Sequence, residues 1–170
     1  RGRNKRDKSN QFREKIPPPD QMDLVKELKF HGYLPTIFFS FSRKQCRDYA
    51  LQCEKRFDFT TPEQKSEIAK VFMEVVPQNY RALRSVQEIR RLSSKGIGVH
   101  NAGQLPCAKE VVEVLFSKGL ISVLYATETF AVGINMPARS VCFSSLRKYD
   151  GITFRYIHTK EYFQMAGRAG

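Results

Sequence analysis

The sequence predicts an α/β fold in which a mainly parallel central sheet is flanked by helices. Three observations point that way. The short apolar runs "TIFF", "GIGV" and "LISVLYA" have the length and flanks of strands buried on both faces. Segments with helical apolar spacing lie between them, and strands alternating with helices build a parallel sheet. The length, 170 residues, suits one domain around a single core.

The elements follow in order. Residues 16–20, "IPPPD", end a basic start, because prolines forbid a helix through them. A short helix over 21–31 precedes "LPTIFFSFS" (34–42), the first strand region. Cys46, Tyr49, Ala50 and Cys53 recur at i, i+3, i+4 and i+7, which is one helix face. Two charge-rich helices are expected over 62–76 and 80–94, then a strand at "GIGVH" (96–100). Pro106 opens the next helix in a favoured first-turn position, and Ala108, Val111, Val112, Leu115 and Phe116 line its inner face. Lys118 and Gly119 close it, the cation at the negative helix end and the glycine as left-handed cap. "LISVLYA" (120–126) is a further buried strand and "SVCFSS" (140–145) a fourth.

The formal net charge is +12, which points to a polyanionic partner. Residues 1–15 hold seven basic and two acidic residues. With no hydrophobic periodicity, 1–19 is expected to be a flexible basic linker or tail, leaving 20–170 as the domain. No run approaches the ~18 apolar residues of a membrane span, and no signal peptide is visible. The four cysteines and three histidines show no zinc-ligand spacing, so no metal site is expected. All four cysteines are expected to be small buried residues in a reduced, intracellular compartment.

None of the ten glycines is followed by lysine, so the chain has no GxxxxGK[ST] phosphate loop. Polar and small residues instead cluster after the strands. Ser40, Phe41, Ser42 and Arg43 follow "TIFF"; His100, Asn101, Ala102 and Gly103 follow "GIGV"; Thr127 to Arg139 follow "VLYA". Ligands of parallel sheets gather at the carboxyl ends of strands, where such residues form an anion-binding edge. The same residue types serve equally as ordinary turns and caps, and composition alone does not separate the two. Glu128 likewise fits a simple acid at a helix start, and His100 reads as structural.

"YATETFAVGINMPAR" resembles motif V of superfamily-two helicases, in the form of the superkiller-type (Ski2-like) DExH RNA helicases. "QMAGRAG" is similar to the first part of their motif VI, and "TIFFSFSRKQC" to their motif IV. "CRDYALQ", the stretch from "GIGVHNAG" to "LYATETF", and "LRKYDGITFR" resemble the same family. Several motifs in the right order are far more specific than any single match.

The resemblance implies a second RecA-like domain over 20–170, from a protein whose first domain carries the phosphate loop and the DExH acid. It implies ATP as cofactor, with Mg2+ held by that first domain. Carried over by position, Arg168 is the first motif VI arginine and acts as an arginine finger on the γ-phosphate. Gln164 links that phosphate to the first domain, and Gly133 and Asn135 lie near the nucleotide. Ser40, Arg43, the amides around Gly103, Thr127 and Glu128 line the RNA path. Single-stranded RNA, the first domain and the exosome or its adaptors are the implied partners, in nucleus or cytoplasm. Motif VI normally runs on past Gly170 to further arginines, so a fragment is expected. A non-catalytic nucleic-acid-binding module and a DNA helicase of the same superfamily remain the alternatives; "TETF" favours the RNA branch.

Overall fold

The computed structural model describes residues 20–131 and 138–170. The expected tail at 1–19, and Gly133 and Asn135, lie outside the described residues. The elements are α1 (Gln21–Phe30), β1 (Thr36–Phe39), α2 (Arg43–Arg56), α3 (Pro62–Val75), α4 (Arg84–Ser94), β2 (Ile97–His100), α5 (Pro106–Ser117), β3 (Val123–Ala126), β4 (Ser140–Phe143), β5 (Arg147–Tyr149), β6 (Phe154–Tyr156) and α6 (Thr159–Ala166). Single 3-10 turns occupy Gln78–Tyr80 and Glu128–Ala131.

Four strands form a parallel sheet in the order β2-β3-β1-β4. In its register, His100 and Phe39 both pair with Ala126, and Phe39 pairs with Phe143. The strands therefore end in line, and the loops that follow them share one edge. That alignment positions the candidate site.

The strands sit where the apolar runs are because their residues are covered on both faces. Ile37, Phe38 and Phe39 of β1 and Val123, Leu124 and Tyr125 of β3 are all buried, and Phe38 stacks on Tyr125 with ring centres 5.3 Å apart. Each such large side chain contributes about 1.5–3 kcal/mol on burial. Cys46, Ala50 and Cys53 face inward from α2, as their spacing predicts. On α4 the buried face is Val86, Ile89 and Leu92. Thr61 and Gln64 form a reciprocal capping box at the start of α3. Gly119 has φ +71°, the left-handed conformation expected after α5.

The structure corrects several expectations. The first strand is confined to Thr36–Phe39, because the chain turns into the cap of α2 at Ser42. The helix expected from residue 80 begins at Arg84, after the 3-10 turn. Cys107 and Cys142 are only half-buried; Cys142 lies on β4, an edge strand paired on one side, to β1. The antiparallel hairpin β5–β6 was not foreseen. Among the described residues no helix is long and apolar enough to cross a membrane.

Candidate functional site

The loops after β1, β2 and β3 are tied together at the sheet edge. The Ser40 amide donates to the Ala126 carbonyl (2.9 Å), and the Thr127 amide donates to His100 (3.1 Å). Ser40 itself is buried, and its hydroxyl donates to Gln45 Oε1. Ser42 caps α2, its Oγ accepting from the Gln45 amide at 3.2 Å. Ser40 thus holds the loop in shape, while Arg43, the first residue of α2, is exposed beyond it.

The loop after β2 is internally satisfied. The Asn101 amide donates to Gln104 Oε1 at 2.8 Å, and the Gly103 amide donates to Asn101 Oδ1 at 3.0 Å. Gly103's own N–H is thus taken up within the loop. The glycine serves another purpose: a Cβ there would stand 2.9 Å from Arg43 Nη1. Its bare backbone lets the Arg43 guanidinium lie over the loop. A groove of about 620 Å³ brings Arg43 and Gly103 together with Arg47, Arg84 and Glu88. His100 is structural, its Nε2 2.6 Å from Glu113 of α5 and its ring edge-on to Phe130. Burial outweighs the Glu113 carboxylate and lowers the His100 pKa.

Beyond β3, Thr127 is buried, with its hydroxyl 3.1 Å from that of Thr129. Glu128 points away from Arg43's groove, into a second cavity of about 220 Å³ shared with Lys148, Glu161 and Gln164. Lys148 Nζ lies 2.8 Å from Glu128 and 2.5 Å from Glu161, and Arg155 reaches Glu161 at 3.2 Å. Arg155 first and Lys148 second depress the Glu161 pKa to about 2. Burial opposes the Lys148 charge, but its bonds to Glu128 and Glu161 prevail and raise its pKa.

Gln164 is exposed on α6, but Arg168 is not on that helix. The helix ends at Ala166, and Arg168 stands in the turn beyond Gly167, where a Cβ would meet the Phe163 carbonyl at 2.8 Å. The Arg168 guanidinium donates to the Ala131 carbonyl. Its own carbonyl accepts from the Ala138 amide at 2.7 Å, and Ala138 pairs with Ala169 as an isolated bridge.

The expected residues divide by their contacts: Arg43 meets Gly103 across the loops after β1 and β2, Glu128 and Gln164 share the second cavity, and Thr127 leaves β3, the strand between β1 and β2. Lys148, Arg155 and Glu161 were missed. "YDG" was their signal, since Asp-Gly between short runs marks a hairpin.

No protein-family model matches the chain. It is 47% identical over 156 residues to the mouse protein named exosome RNA helicase MTR4, covering 90% of this chain and 15% of that one. Against ATP-dependent RNA helicase mtr4 of Schizosaccharomyces pombe the identity is 44% over 156 residues, covering 90% and 14%. Against human superkiller complex protein 2 it is 46% over 152 residues, covering 88% and 12%. Over about nine-tenths of its length the chain is thus similar to superkiller-type DExH RNA helicases. Its parallel sheet with flanking helices is the RecA-like α/β fold expected of that family. The chain spans about 15% of the length of the curated helicase relatives it matches.

Proposed function

We propose that this segment is the second RecA-like domain of an ATP-dependent 3′-to-5′ RNA helicase acting with the exosome in RNA decay, processing or surveillance. The reading is supported most by Arg168, which bonds to Ala131 on the strand-end turn and to Ala138, the described residues on either side of the stretch containing Gly133 and Asn135. An arginine so tied can report phosphate contact to the loop that carries Thr127.

The donor chemistry fits part of a nucleotide site. The guanidinium fork of Arg168 and the amide of Gln164 suit phosphate oxygens. The adjoining cavity of about 220 Å³ is below the usual ~300–1,000 Å³ of a ligand site, so it suits half of one. ATP supplies the phosphoanhydride and Mg2+ comes with it on the first domain. This chain's part is to orient the terminal phosphate through Gln164, to offer Arg168 to its charge, and to place Gly133 and Asn135 near the nucleotide. On the RNA side, Arg43 contacts phosphate, Thr127 closes the path, and Ser40 and Gly103 set Arg43's position.

The RNA half is testable on the 170-residue chain by fluorescence anisotropy with labelled oligouridylate. Binding should be weak and fall with salt in proportion to the phosphates contacted. Arg43→Ala and Thr127→Ala should weaken it. Binding that vanished on deleting residues 1–15 and ignored both substitutions would assign the affinity to the basic terminus and overturn the track.

A further inference from the structure

The groove that holds Arg43 does not stop at the sheet edge. It runs between α2 and α4 into a second concavity of about 650 Å³, and the two share Arg47, Arg84 and Glu88. Most charges along it are already matched. Arg47 forks onto Glu88 at 2.6 and 2.7 Å, Lys44 reaches Asp48 at 3.1 Å, and Arg91 reaches Glu54 at 2.9 Å. Arg90 of the second concavity lies over the Phe72 ring, 5.4 Å from its centre, but Arg43 and Arg84 differ. Both are exposed, and among the described residues neither makes an ion pair or a side-chain hydrogen bond.

Their positions are locally unfavourable. Arg43 and Arg84 each open a helix, α2 and α4, and neither helix has an acid in its first turn. The helix dipole disfavours cations there, and α1, α3 and α6 follow the rule with Asp23, Glu63 and Glu161. α4 also lacks a side-chain cap. Two unmatched guanidiniums placed against local preference, on one groove, indicate selection for a ligand. That ligand is anionic. The groove's lining contains no aromatic side chain, so it offers no platform for stacking bases. Guanidiniums match phosphate oxygens as planar forks and carry no base readout.

We propose that the groove between α2 and α4 carries the RNA backbone onward from Gly103, with Arg84 as its phosphate-binding residue. This extension rests on the RNA track proposed above, and Arg43 is where the two meet. The path is sequence-independent and lengthens the footprint of the segment.

The test uses the 170-residue chain and labelled oligouridylates of about 4 and about 16 nucleotides, the span of single-strand site sizes. Arg84→Ala should weaken binding of the longer RNA several-fold and leave the shorter unchanged. It should also reduce the slope of log K against log salt for the longer RNA by about 0.7, the loss of one single-strand phosphate contact. Arg84→Lys should keep that slope. Arg43→Ala should weaken both lengths. If Arg43→Ala weakens binding and Arg84→Ala changes neither length, the groove proposal fails while the track stands. If neither substitution matters, both fail. If Arg84→Ala spares the RNA but abolishes binding of a labelled oligo-aspartate peptide, the groove is a protein-docking site and the proposal is overturned.

Discussion

The Lys148 ammonium lies 2.5 Å from the Glu161 carboxylate, tying hairpin strand β5 to helix α6. Because the same ammonium reaches Glu128, one side chain joins the turn after β3, the hairpin and the helix bearing Gln164. Arg155 of β6 adds a second tie to Glu161 at 3.2 Å, whereas the aromatic side chains Tyr149, Phe154 and Tyr156 are exposed.

The pH dependence of this network follows from Glu161. Its folded pKa, about 2, lies below the ordinary 4.5, so the stabilisation is present above the ordinary value and lost as pH falls toward 2. A half-buried ion-pair network still open to solvent screening is worth roughly 1 kcal/mol, or about 2–4 °C in Tm for a domain of this size. Glu161→Gln should therefore lower Tm at neutral pH, and the gap should narrow on acidification. Paired thermal melts check it; a gap of equal size at both pH values would remove Glu161's charge from the explanation.

Gly103→Ala separates fold from binding. The new Cβ would crowd Arg43 Nη1 at 2.9 Å and Asn101 Oδ1 at 3.2 Å, and the arginine can swing aside. Stability should change by less than about 0.5 kcal/mol. RNA affinity should fall nearly as far as in Arg43→Ala, because the guanidinium loses its seat. Unchanged affinity would mean that the contact between Arg43 and Gly103 does not position the arginine.

The 170-residue chain should hydrolyse no ATP, with or without RNA. It has no glycine-lysine phosphate loop, and nothing in its sequence replaces one for holding β/γ-phosphates and magnesium. A steady-state assay decides it; RNA-stimulated turnover that survives repurification would contradict the division of the site between two domains.

Much of the fold was legible because burial on both faces leaves continuous apolar runs, as in β1 and β3, and because Pro106 and Gly119 punctuate α5. The hairpin was not, because its pattern is inverted. Tyr149, Phe154 and Tyr156 point outward, while Lys148 and Arg155 turn toward carboxylates. A charge at the inward position reads as a loop. In the site, Arg43 and Gly103 were recognisable by motif, but their mutual contact joins residues 60 positions apart, which no local pattern encodes. Glu128 was assigned to the RNA path, yet its partner Lys148 lies 20 residues on and draws it toward Gln164.

The central claim is that Arg168 acts on phosphate, and it is tested most directly by pairing ATP turnover with RNA binding in the proposed two-domain helicase built with this segment. An arginine that meets the charge of a transferring phosphoryl group affects turnover more than ground-state binding. Arg168→Ala should lower RNA-stimulated kcat about a hundredfold or more. Arg168→Lys should rescue poorly, because an ammonium cannot reproduce the guanidinium fork. RNA affinity without nucleotide should change little in both. Were the bond from Arg168 to Ala131 merely structural, its loss would disturb the neighbouring Thr127 loop and lower RNA affinity along with kcat. Near-normal turnover in Arg168→Ala, or a parallel loss of RNA binding, would contradict the account.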